Sequence, residues 1–150
     1  MRRIATALPG LVVGSCLLFA LLYVLGAGRT AGDGPWEPLW NKTTCAYCSM
    51  HVGEPAYAAE LLTRSGEALL FDDPGCLFAY LESREEPAGM WFHALQGEGW
   101  IAADRVAFVR VPVSPMGFGL GAVARGYPDS LGLDEAREIC RESHGRGDDR

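Results

Sequence analysis

No charged residue occurs between Ile4 and Gly28. That run decides how much of the 150-residue chain is left to build a folded core. It is longer than the apolar region of a typical signal sequence, about 7–15 residues, and close to the about 20 that span a bilayer as a helix. Pro9 and Gly10 interrupt it early, but Leu11 to Ala27 stays apolar. Arg2 and Arg3 precede it, and basic residues prefer the cytoplasmic side. The N-terminus is therefore expected inside the cell, and everything after the run outside. An uncleaved anchor helix is the first reading, and a cleaved signal ending near Gly28 is the second.

A third reading is lipidation at Cys16, because Val13-Gly14-Ser15-Cys16 resembles a bacterial lipobox. Leu17 to Leu25 remains strongly apolar, unlike the polar tether that follows a lipidated cysteine. The resulting organisation is a signal or anchor segment at 1–28, a linker at 29–42, one small domain at 43–143 and a polar tail at 144–150. Thr30 to Pro38, rich in Gly and Pro, has linker composition.

The charge is as unevenly placed as the hydropathy. All 19 acidic residues follow Arg29, while Arg2, Arg3 and Arg29 account for three of the 13 basic ones. The extracytoplasmic part thus carries 10 basic against 19 acidic residues, a net charge of −9. Such a surface repels phosphate backbones, which excludes nucleic acid as the partner. Five cysteines are an odd number, so in an oxidising compartment at least one is unpaired or metal-bound.

Turn and capping signals divide the domain into short elements. Ala56 to Thr63 reads as a strand, Arg64-Ser65-Gly66-Glu67 as its turn and Ala68 to Phe71 as the return. Asp73 caps a helix with Pro74 at its first position, and Leu77, Tyr80 and Leu81 give that helix an apolar face. Pro87-Ala88-Gly89 ends it. Met90 to Leu95, Trp100 to Ala102 and Ala107 to Val111 read as strands. The alternation of Gly117, Gly119 and Gly121 with Phe118 and Leu120 suits another. Leu133 to Ser143 is a final helix. The order predicts an α+β fold with antiparallel sheet.

Sulfur marks the chemistry. Thr44-Cys45-Ala46-Tyr47-Cys48-Ser49-Met50-His51 holds two thiols, a thioether and an imidazole. A second thioether, Met116, sits between Pro115 and Gly117, an unusual place for a core methionine. In an extended segment Cys48 and Met50 would face one way, with Cys45 joining them through a tight turn. Thiolate and thioether are the ligands that select Cu(I). The spacing of Cys45 and Cys48 alone also fits half a zinc site, a redox pair or a disulfide-closed turn. Zinc needs about four N/S ligands, and no second such pair follows; Cys76, Cys140, His93 and His144 could complete a site only if the tertiary fold happened to bring them there. A thioredoxin-type pair should open a helix, yet Gly53 and Pro55 follow closely. Cys76 and Cys140 fall on predicted helices and read as small buried residues. His51 reads as a surface residue, His93 as half-buried, and Asp73 as a helix cap. Trp91, Phe92 and Trp100 read as core. No nucleophile triad, phosphate loop or dinucleotide fingerprint is present, so an enzyme is not expected.

Four motifs occur in order: Cys45-x-x-Cys48-x-Met50; Phe71-Asp72-Asp73-x-Gly75-Cys76-Leu77-Phe78-x-Tyr80-Leu81; Trp100-Ile101-x-Ala103; and Ser114-Pro115-Met116-Gly117-Phe118-Gly119. Together they resemble the NosL family, copper-binding accessory proteins of nitrous oxide reductase, from about Thr43 to Ala124. The resemblance implies two small ββαβ-like halves and a membrane-anchored or lipidated extracytoplasmic Cu(I) chaperone. It implies Cys45, Cys48, Met50 and Met116 as metal ligands. The implied partners are nitrous oxide reductase and its ABC-type assembly complex. Ser49 departs from the family, which usually has glycine after the second cysteine. The short tail after the last helix departs too, where the fold's last strand is concerned.

Overall fold

The computed structural model describes residues 14–21, 34–97 and 99–145. Most of the uncharged N-terminal run lies outside them. Its described part, 14–21, is helical with every side chain exposed. No helix among the described residues is long and apolar enough to cross a membrane.

The domain elements are β1 (Ala59–Leu62), β2 (Ala68–Phe71), α1 (Pro74–Leu81), β3 (Gly89–His93), β4 (Trp100–Ala102), β5 (Val106–Arg110), β6 (Leu120–Ala124) and α2 (Leu133–Gly145). Four strands form an antiparallel sheet in the order β2-β1-β3-β4, and β5 and β6 form an antiparallel hairpin. The fold is therefore α+β with antiparallel sheets, as expected. A parallel bridge between Ala94 and Ala122 stitches the two sheets, with the Leu95 amide donating to Ala122 O at 2.7 Å.

The first half has the expected ββαβ order. Among the described residues the second runs only β5, β6, α2. Leu131 pairs with Phe108 as a single bridge and satisfies part of the β5 edge. The first predicted strand is shorter than its alternation suggested, because Pro55 opens a 3-10 turn, Pro55–Tyr57, ahead of it. The glycine-rich strand starts only at Leu120. Gly117 and Gly119 have φ of 79° and 70°, a left-handed conformation that strands exclude.

One aromatic from each layer meets at the centre. Phe78 of α1, Phe92 of β3 and Phe108 of β5 have ring centroids 5.0 to 5.7 Å apart. Such tilted and edge-on pairs add to area burial by about 0.5–1.5 kcal/mol each. Ala136 and Cys140 pack α2 onto this core. β1 is buried along its whole length, including Glu60. The Glu60 carboxylate accepts from the Trp36 amide at 2.6 Å, and Glu37 accepts from the Trp100 indole at 3.3 Å. Residues within the stretch read as linker are thus fastened onto the sheet.

Candidate metal centre

The Cys45–Met50 loop is shaped by its own backbone. Thr44 and His51 pair as an antiparallel bridge. Inside it the Cys45 amide donates to Met50 O at 2.8 Å and the Ser49 amide to Cys45 O at 3.1 Å. The chain therefore turns back through Ala46, Tyr47 and Cys48. Ser49, at φ 63°, completes the reversal. A left-handed residue there accounts for a glycine preference at this position, since only glycine adopts it without a Cβ clash. This turn corrects one expectation: the chain is not extended between Cys48 and Met50, so same-face alternation does not align their side chains. The tight turn needed to bring Cys45 beside Cys48 is present.

The Ala46 amide donates to Leu70 O at 2.9 Å, which docks the loop on the end of β2. From there the chain runs through Asp72 and Asp73 into α1. Asp73 is the N-cap, accepting from the Gly75 amide at 2.9 Å, and Pro74 begins the helix. Cys76 lies in the first turn and points inward. The sulfur atoms of Cys45, Cys48 and Cys76 all lie within 4.8 Å of one another. No histidine or carboxylate among the described residues joins the group. Cys76 was expected to be a buried small residue. It is buried, at 0% exposure, but it also supplies a third sulfur. Only its place in the Asp-Asp-x-Gly-Cys motif hinted at more.

The thiols are electrostatically unequal. The Cys45 thiol is held down to about 5, first by a hydrogen bond from the Cys76 thiol and then, against the opposing effect of burial, by the backbone of Cys48, Asp72 and Tyr47. That same bond, with burial, pushes Cys76 well above the ordinary thiol range. Burial raises Cys48. Cys45 is thus the most readily ionised of the three, and a soft cation entering the group would displace protons from the others. Cys140 is buried, has its thiol pushed up to about 12 by burial, and belongs to the core.

Both thioethers are on the surface: Met50 is 58% and Met116 39% exposed. Met116 lies in the turn in which the Gly117 amide donates to Ser114 O at 3.1 Å. Its own amide donates to Asp73 Oδ2 at 3.1 Å. That bond brings the Met116 loop to the end of α1 that carries Cys76. Asp72 performs a parallel task, accepting from the Gly53 amide at 3.0 Å just beyond Met50 and His51. Burial raises both carboxyls above their usual range. His51 is exposed, and the half-buried His93 ring sits edge-on to Trp40 and Trp100. Trp91 and Phe92 are buried, and Trp100 packs partly buried against the core.

No protein-family model matches the sequence, and no curated protein does. Among solved structures, the chain matches the crystal structure of the copper chaperone NosL from Shewanella denitrificans. The TM-score is 0.50 at 19% identity, over 73% of this chain and 87% of that one. At this identity the likeness is one of fold: the chain has a NosL-like fold.

Proposed function

We propose that this protein is an extracytoplasmic Cu(I) metallochaperone that binds one ion at the sulfur cluster and delivers it to a copper enzyme. The observation that carries this reading is the convergence of the Cys45, Cys48 and Cys76 sulfurs within 4.8 Å. Three thiols joined by no histidine or carboxylate among the described residues suit Cu(I), which accepts thioethers as further ligands, whereas a structural zinc site closes with about four thiolate or imidazole ligands. A thiol-disulfide exchanger is disfavoured for a local reason: Cys45 and Cys48 lie in a self-closed turn and do not open a helix. The fold supports the same reading, since the matched structure is that of a copper chaperone and not of an enzyme.

In this reading the three thiols, of which Cys45 and Cys76 are buried, hold the ion, and Met50 and Met116 are thioether ligands at its solvent side. Exposed soft ligands let a partner reach the ion before the buried thiols release it. The receiver is nitrous oxide reductase or its ABC-type assembly complex, as the motif resemblance implies. An N-terminal segment holds the domain at the outer face of the membrane. The exposed Leu17, Leu18, Phe19 and Leu21 side chains favour that placement.

Full-length protein in mild detergent tests the binding step, by Cu(I) competition with a chromophoric chelator under reducing conditions. One tightly bound Cu(I) per chain is expected. Cys76→Ser, Met50→Leu and Met116→Leu should each weaken binding tenfold or more, while the strand variant Met90→Leu should not. A protein that ignores Cu(I) but loses its fold on zinc removal, or turns over a disulfide substrate, overturns the reading.

A further inference from the structure

The junction between β2 and α1 holds two adjacent carboxylates, Asp72 bracing the Gly53 amide and Asp73 capping α1, to which the metal-binding reading gives no part. Asp73 is fully buried and uses both oxygens as acceptors. Oδ1 takes the Gly75 amide at 2.9 Å and so caps α1. Oδ2 takes the Ser114 hydroxyl at 2.6 Å and the Met116 amide at 3.1 Å. Ser114 in turn accepts from the Gly119 amide at 3.0 Å, closing the loop around Met116. Phe118 completes the attachment. A Cβ built on Gly75 would stand 2.0 Å from Phe118 Cγ, so the ring lies directly on that glycine.

We infer that Asp73 is the positioning residue of the metal site: its Oδ2 holds the Met116 backbone at the helix turn that carries Cys76, and so sets where the thioether stands. The inference rests on the metallochaperone reading, with Met116 as a ligand. The geometry favours this role over simple capping. Capping needs one oxygen, and serine, threonine or asparagine would serve as well. Accepting from an amide and a hydroxyl on the second oxygen requires a carboxylate. Charge-assisted bonds of this kind are about twice as strong as neutral ones. They join residues far apart in the chain, so the thioether loop is registered to the thiol cluster by one side chain. Loosening that grip would free Met116 without disturbing Cys45, Cys48 or Cys76, which suits a site that must also release its ion.

The test is a double-mutant cycle on Cu(I) affinity in the full-length protein. Ser114→Ala removes a donor to Oδ2 and leaves the helix cap. Asp73→Asn replaces one acceptor by an amide that the Met116 N–H cannot use. Apo-protein melting curves establish that each variant folds, and Ser114→Ala carries the test alone if Asp73→Asn does not. Ser114→Ala is expected to weaken Cu(I) binding about tenfold in the wild-type background and to have no further effect on Met116→Leu, because the two changes remove the same ligand. Equal losses in both backgrounds would overturn the inference, leaving Asp73 a structural residue. Undiminished affinity in Ser114→Ala, beside a weakened Met116→Leu, would overturn it too while sparing the chaperone reading. Undiminished affinity in Met116→Leu itself would instead remove Met116 from the ligand set, and this role of Asp73 with it.

Discussion

The loop from Cys45 to His51 closes on itself, whereas the loop from Ser114 to Gly119 is held largely by residues from elsewhere. In the first, the hydrogen bonds from Cys45 to Met50 and from Ser49 to Cys45 make the turn, and the bridge from Thr44 to His51 seals it. In the second, Asp73 supplies the anchoring oxygen and Gly75 the surface on which Phe118 rests. A locally closed loop keeps its shape when its neighbours shift. A loop held by remote groups keeps its position only while those groups stay in place. The Cys45 and Cys48 thiols therefore sit on the locally closed loop, and Met116, the proposed thioether ligand, on the loop that another residue controls.

The sharpest way to break this contrast is Gly75→Ala. The new methyl meets the near end of the half-buried Phe118 ring, 2.0 Å from its Cγ, so the ring must shift off the helix. Overpacking of this kind costs about 3 kcal/mol, read as a lower urea midpoint. The loss should be recovered in part by Phe118→Ala in the same chain, where the ring no longer opposes the methyl. Without such recovery, the Phe118 contact does not hold the second loop.

A smaller effect separates the two carboxylates. Asp73→Asn should cost about 2 kcal/mol, because the buried Ser114 hydroxyl and the part-buried Met116 amide lose the oxygen they share. Asp72→Asn keeps an acceptor for the Gly53 amide and should cost under about 0.5 kcal/mol. Chemical denaturation of both variants decides it, and equal losses would erase the distinction between a shared clamp and a single brace.

The smallest expected change is a gain. Ser49 pays for its left-handed backbone, and Ser49→Gly removes that strain at the cost of added freedom in the unfolded chain. The balance should stabilise the domain by up to about 1 kcal/mol, visible as a rise in melting temperature. A fall would mean that the Cys45 loop is not under the backbone strain its geometry implies.

Several elements followed from signals that act over a few residues. The Asp73 cap and Pro74 start announced α1, and a polar turn around Gly66 announced the β1–β2 hairpin, because capping and turn formation involve only neighbouring backbone groups. The acidic balance and the crowding of sulfur at residues 45–50 were equally plain in the sequence. The third thiol was not. Cys76 reads as an apolar helix residue, and nothing near it in sequence refers to Cys45. Its sulfur reaches the cluster because the Ala46 amide docks on Leu70, one strand away from α1. The second duty of Asp73 was hidden for the same reason: a cap explains the residue locally, and only the arrival of Ser114 and Met116 reveals the other oxygen's partners. The sequence by itself determined the helix, the hairpin and the soft-ligand chemistry, since each is settled by residues that are neighbours in the chain. The tertiary structure alone decided which sulfurs meet and what holds the thioether loop beside them, since both depend on hydrogen bonds between segments that only folding brings together.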